Sequence, residues 1–370
     1  MIRNIQINMS VQLIALNGNK LELCQEGIDV LEQSNNKTRT PLLVVAIAGL
    51  YRTGKSFLLN KIISTISKSQ NNTNTINNTN NATQSNSNNT FSVGQTTEAC
   101  TRGIWIQDPN ITIRGARLIF LDSEGLASLD QDESHDAKIF SLSLLLSSYF
   151  MLNTQGVIDE AAIDRLYLVG EITKRVCVAS NINPNPNETT TDEQKDLSDY
   201  FPPLLWLLRD FHLSLEEKGK KLTENEYLEK SLADRTVTKG RRTEERNDTR
   251  RALRQLFRKR KVFTMVRPCL NEKDLRKADE LQDDSLRPEF LAELNTLCTI
   301  IQTDVQKKNI LGTEVDGKQL IVGLICFLKP NTTAIEHVLT FSFSFFSKSI
   351  ICFNVIFFVV IFVILLLDNT

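Results

Sequence analysis

The residues best placed for chemistry are Gly49-Leu50-Tyr51-Arg52-Thr53-Gly54-Lys55-Ser56, which spell the pattern G-x-x-x-x-G-K-[ST]. Glycines at this spacing let backbone N–H groups crowd around phosphate oxygens, and a helix opening at Lys55 would add the positive end of its dipole. Lys55 would reach β- and γ-phosphates, and the Ser56 hydroxyl would ligate Mg²⁺. Further along, Asp122-Ser123-Glu124-Gly125 offers a second carboxylate for the metal shell. Gly125 would let a backbone N–H approach the terminal phosphate. Arg52 lies inside the cradle itself. It is either a solvent-facing loop arginine or a guanidinium that swings over the phosphates to stabilise transition-state charge.

Such groups need elements to hold them. The run at 42–48 follows Pro41 and shows no two-residue alternation, as expected of a strand buried on both faces of a parallel sheet. After Ser56, apolar residues at helical spacing over 57–66 predict a helix. Residues 69–90 are dominated by Asn, Thr and Ser, and read as a disordered surface insertion. A second buried strand at 118–121 ends at Asp122. Helices are expected over about 137–151 and about 159–179, then a polar loop over 180–196. A third buried strand at 204–208 stops at Arg209-Asp210. The early apolar run at 11–16 is too short for the core of a signal peptide and reads as another strand. Strands alternating with helices predict an α/β fold of the P-loop NTPase kind, a mostly parallel sheet flanked by helices.

Composition narrows the classes. With 370 residues, 41% hydrophobic and 24% charged, the chain has ample material for a core, and its net charge of -1 gives no overall attraction to nucleic acid or acidic lipid. Seven scattered cysteines without a C-x-x-C pair, and three histidines, argue against a disulfide framework or a zinc cage. Reduced thiols suggest a cytoplasmic setting. Between 235 and 261, twelve Lys/Arg stand against three acidic residues. That run reads as a solvated helix face with a mobile loop rather than a phosphate-binding surface, and no nucleic-acid partner is expected. Residues 349–367 carry no charge, are flanked by Lys348 and Asp368, and would span about 28 Å as a helix. They read either as a tail anchor or as a terminus of non-native origin.

Taken together, Gly49 to Ser56, Thr101-Arg102-Gly103-Ile104-Trp105, Asp122-Ser123-Glu124-Gly125-Leu126 and Leu208-Arg209-Asp210 resemble the guanylate-binding protein family. This is the interferon-inducible branch of the dynamin-like large GTPases, related to the atlastins. The resemblance runs from about Gln12 to Leu324 and implies a G domain over 37–328. Residues 1–36 would lead into it and 338–370 would form a separate hydrophobic tail. It further implies GTP as substrate, Mg²⁺ as cofactor, Arg52 as an internal arginine finger and Thr101 as the switch threonine that ligates Mg²⁺. The catalytic group would be Arg52, Lys55, Thr101 and Glu124, and the metal ligands Ser56, Thr101 and Asp122. Nucleotide would be held by Gly49, Tyr51, Arg52, Thr53, Gly54, Lys55, Ser56, Phe57, Asp122, Gly125, Arg209 and Asp210. Asp210 would accept from guanine N1–H and N2–H₂, which adenine cannot supply.

A nucleotide-dependent homodimer is likewise implied, with membrane association through the tail. Two features depart from the family. Ala99 stands where a serine often helps place the attacking water, and no long helical region follows the G domain. These departures leave a second reading, a catalytically weak GTP-binding switch acting through a partner or membrane.

Overall fold

The computed structural model describes residues 9–17, 20–33, 39–74, 91–93, 103–123, 125, 133–164, 166, 201–236, 241–310 and 313–328. Strands β1 (Val11–Asn17) and β2 (Lys20–Leu23) form a hairpin, followed by helix α1 (Gln25–Glu32). Next come β3 (Leu42–Gly49), α2 (Lys55–Asn74), β4 (Ile104–Ile113) and β5 (Ala116–Ser123). They are followed by α3 (Glu133–Leu146), β6 (Tyr149–Gln155), α4 (Glu160–Asp164) and β7 (Leu204–Arg209). The small hairpin β8 (Glu216–Glu217) and β9 (Lys220–Lys221) precedes α5 (Glu224–Ser231), α6 (Arg241–Leu256) and β10 (Arg260–Met265). The described chain closes with α7 (Glu272–Leu275), α8 (Pro288–Asp304), the pair β11 (Asn309–Ile310) and β12 (Thr313–Glu314), and α9 (Gly317–Leu328).

Eight strands make one sheet in the order β10-β7-β6-β3-β5-β4-β1-β2. The pairs from β10 to β5 are parallel, and those from β5 to β2 antiparallel. Alternation along β3 explains why its apolar run is unbroken: Leu42, Val44, Ala46 and Ala48 join the core on one face, and Leu43, Val45 and Ile47 the core on the other. The first core also holds residues of α1, α3, α6 and α9, and the second those of α2 and α8. Parallel strands end on a common edge, and that edge is where an open α/β sheet offers a crevice to ligands.

The strands expected at 11–16, 42–48, 118–121 and 204–208 are present. The helix expected over 137–151 is not: α3 stops at Leu146, and Tyr149–Gln155 is the central strand β6. The cause is Ser148, whose N–H donates to Val44 O at 2.8 Å while its Oγ accepts from Val44 N–H at 2.9 Å, so the chain begins pairing with β3 at that residue. An apolar run buried on all sides carries no period that separates helix from strand. Of the helix expected over 159–179, α4 supplies five residues, and 167–179 lie outside the described residues. So do 75–90 of the Asn-rich tract, whose first residues continue α2, and the whole apolar tail at 338–370. Among the described residues no helix is long and apolar enough to cross a membrane.

The basic run also differs from expectation. Arg250 is 1% exposed and donates to Glu160 at 2.6 Å. Arg246 pairs with Asp164, Arg251 with Asp234, Glu244 and Asp248, Arg254 with Asp234, and Arg260 with Glu229. Most of those carboxylates come from outside the run, on or beside α4 and α5. A count along the chain misses partners that folding brings in. Arg246 in turn holds the Asp164 carboxyl below its ordinary range.

Candidate functional site

The loop between β3 and α2 turns sharply. Gly54 has φ 72°, and Arg52, without the freedom of glycine, has φ 61°. Gly49 is required for another reason: a Cβ there would lie 2.0 Å from Asn153 O on the neighbouring strand. α2 opens at Lys55, so its first N–H groups and dipole face the loop.

Lys55 is buried, and its Nζ donates to Leu50 O at 3.1 Å and Gly49 O at 3.4 Å. Ser56 Oγ donates to Asp122 Oδ2 at 2.5 Å, across the junction of α2 and the end of β5. A hydroxyl and a carboxylate brought together in this way are hard oxygen ligands of the kind Mg²⁺ takes, so the residues present fit that ion. No group of three His, Cys, Asp or Glu side chains able to hold a metal occurs among the described residues. Gly125 backs onto the loop, since a Cβ there would lie 2.4 Å from Tyr51 Cα. The Arg52 guanidinium rests over the Tyr51 ring, 5.0 Å from its centroid.

At the far end, β7 delivers Arg209 and Asp210. Arg209 is 3% exposed, and its Nε and Nη1 have no hydrogen-bond partner among the described residues. Burial pushes its pKa down to about 10, opposed by the charges of Asp210 and Glu293. Asp210 is a second non-glycine residue with positive φ, 56°, and Arg267 Nε approaches its Oδ2 at 3.5 Å.

Both ends open into one cleft of about 400 Å³ lined by Tyr51, Arg52, Thr53, Gly54, Lys55, Ser56, Phe57, Gly125, Arg209 and Asp210. That size suits a small-molecule site. Gly49 and Asp122 lie directly behind the lining. The Thr53 hydroxyl donates to Leu50 O at 2.7 Å. The Phe57 ring stacks on Phe290 in the core. Thr101 and Glu124 lie outside the described residues, as does Ala99. Sequence reasoning missed Gln155, Pro268, Leu275 and Arg276, which also line the cleft, and Asn153 and Arg267 behind it. Arg267 stands two residues past the end of β10, much as Asp210 stands one residue past β7.

Comparison with known proteins identifies a family. The family model of the guanylate-binding protein N-terminal domain matches residues 18–310. The chain is 36% identical over 283 residues to guanylate-binding protein 1 of Homo sapiens, covering 76% of this chain and 43% of that protein. It is 34% identical over 321 residues to guanylate-binding protein 5 of Homo sapiens, covering 85% and 49%. With guanylate-binding protein 2 of Mus musculus it shares 33% identity over 313 residues, covering 83% and 47%. The chain thus spans about half the length of the curated relatives it matches.

Proposed function

The chain belongs to the guanylate-binding protein family, and from that premise we propose that its cleft binds GTP with Mg²⁺ and hydrolyses the γ-phosphate. The observation that carries this reading is the pairing of Ser56 with Asp122 at one end of the cleft whose other end holds Arg209 and Asp210. One cavity would on this reading serve both as phosphate cradle and as reader of the base.

On this reading Lys55 exchanges its bonds to Gly49 O and Leu50 O for oxygens of the β- and γ-phosphates. Ser56 and Asp122 would hold Mg²⁺, joined by Thr101. Bound there, the ion would supply positive charge against the phosphates. Arg52 leaves the Tyr51 ring to meet charge on the transferring phosphoryl group while a water attacks in line, with Glu124 as a further catalytic group. Asp210 accepts from guanine N1–H and N2–H₂. Arg209, which lines the same cavity and has two donors without a partner among the described residues, would suit the acceptor edge of that base. Residues 37–328 act as the G domain, pairing head to head with a second copy when nucleotide is bound. The tail at 338–370 would bring a cytoplasmic protein to a membrane.

A second reading, a switch that binds GTP with little turnover, is favoured by Ala99. Titration with a fluorescent GTP analogue in Mg²⁺, with ATP as competitor, tests binding, and phosphate release separates the two readings. Saturable uptake that GTP displaces and ATP does not is expected, and Lys55→Ala should abolish it. If Lys55→Ala binds like the parent, the proposal fails.

A further inference from the structure

Strand β6 carries a polar side chain with no exposure at all, Asn153. It runs beside β3 with Asn153 in register with Gly49, so the two backbones touch where the cradle begins. Its side chain reaches the other end of the same loop. Nδ2 donates to Thr53 Oγ1 at 2.7 Å and to Thr53 O at 3.1 Å. Thr53 Oγ1 donates onward to Leu50 O at 2.7 Å. The orientation of the amide is chemically determined, because Thr53 O can only accept and must face nitrogen. The amide's other atom, Oδ1, is buried without a hydrogen-bond partner among the described residues. An acceptor left that way is destabilising, so an apolar residue here would relieve a penalty unless the donors matter.

The donors hold a loop that Lys55 ties at Gly49 O and Leu50 O, and they add a tie to the strand beside it. Between Leu50 and Gly54, Arg52 has positive φ, a conformation disfavoured for a non-glycine residue. The chain from Asn153 Nδ2 through Thr53 Oγ1 to Leu50 O ties both sides of that residue to a central strand.

We propose that Asn153 is a positioning residue for the nucleotide: it clamps Thr53, and through it Leu50, so that the loop is held in one shape before ligand arrives. This inference rests on the nucleotide reading above. It assigns to Asn153, which does not itself line the cleft, a role in affinity. Without the clamp, binding must itself order the loop, and affinity falls by the fraction of molecules already in the competent shape.

The test measures affinity for a fluorescent GDP analogue with Mg²⁺, and the melting temperature without nucleotide, for the parent, Asn153→Ala, Thr53→Ala and the double variant. Thr154→Val serves as a control. It alters the adjacent residue of the same strand, removing the hydroxyl that accepts from Trp206 Nε1 at 2.9 Å. Asn153→Ala should weaken binding about tenfold or more, with the double variant little worse than the single, because the two side chains form one chain of bonds. Thr154→Val should lower the melting temperature and leave affinity unchanged. Equal affinity losses in Asn153→Ala and Thr154→Val would reduce Asn153 to a structural residue and overturn the inference, as would additive losses. If Asn153→Ala does not fold, Thr53→Ala carries the test, and parent-like affinity in it overturns the inference. A parent that takes up no nucleotide refutes the functional reading first. A parent that binds, with Asn153→Ala binding equally, refutes only the clamp.

Discussion

Replacing Asp210 by asparagine probes the base end of the cleft most directly. The carboxylate is the acceptor proposed for two guanine N–H groups, and bonds from neutral donors to a charged acceptor contribute about 1.5–3 kcal/mol each. Asparagine keeps one acceptor but turns an amide donor toward a guanine donor, so one bond is lost and a repulsion replaces it. A loss of about 2–4 kcal/mol corresponds to roughly 30- to 1000-fold weaker GTP binding. The same change removes one of the two negative charges that oppose the lowering of Arg209's pKa, leaving Glu293. Asp210 is partly exposed and already shared with Arg267, so this second effect should cost the unliganded fold only about 1 kcal/mol. Xanthine provides the sharper readout, since it carries a carbonyl where guanine carries N2–H₂ and so matches the donor that asparagine introduces. Competition against a fluorescent GDP analogue should show GTP weakened and xanthosine triphosphate strengthened. If GTP affinity is unchanged, or if both nucleotides weaken alike, Asp210 does not read the base and the orientation of the nucleotide in the cleft is wrong.

Arg52→Ala should lower turnover by about 10³-fold while nucleotide affinity changes far less. Phosphate release beside equilibrium titration checks this, and equal losses in both would remove the finger role. Gly49→Ala places a Cβ 2.0 Å from Asn153 O. Separating β3 from β6 to admit it should cost about 1–3 kcal/mol of stability and abolish binding; an unchanged melting temperature would contradict the close approach. Lys308, buried with Nζ donating to Leu145 O and Ser147 O, has its pKa pushed down to about 7 by burial, from an ordinary 10.5. Between those values the unfolded chain holds a proton that the folded chain lacks, so this group makes stability rise with pH, by at most about 1.4 kcal/mol per unit. Denaturant unfolding across that window should show the rise in the parent and a smaller one in Lys308→Met; parallel curves would mean that Lys308 stays charged in the fold.

The cradle was legible because its signals are local: two glycines and a lysine at fixed spacing, an apolar strand before them and helical periodicity after. Asp122 and Asp210 were legible as the polar residues that end apolar runs. The loss lay where the run of apolar side chains does not stop. Residues 139–152 pass from α3 into β6 with only Ser147 and Ser148 between them, and the strand's identity rests on bonds from Ser148 to Val44, far away in sequence. β4 was hidden for the opposite reason. Pro109 interrupts it and its register with β5 shifts between Gln107 and Ile111, so no clean alternation survives. With β6 misplaced, Asn153 had no reason to attract notice. Arg267 could have drawn it, standing past the end of β10 as Asp210 stands past β7.

The two strained residues of the cleft also explain why β6 matters more than its lining suggests. Arg52 and Asp210 both hold positive φ without being glycine. Such conformations persist only where surrounding bonds over-determine them. At the phosphate end the bonds come from Asn153. At the base end, Arg209 O accepts from Gly156 N–H at 2.8 Å and Phe211 N–H donates to Met265 O at 3.0 Å, fixing the backbone on both sides of Asp210. One of those anchors lies immediately after β6 and the other on β10. The same strand therefore holds the loop that would cradle phosphate and the turn that would read the base. A displacement of β6 along its axis would move both together, which keeps the distance between them constant, and a ligand of fixed length requires that constancy.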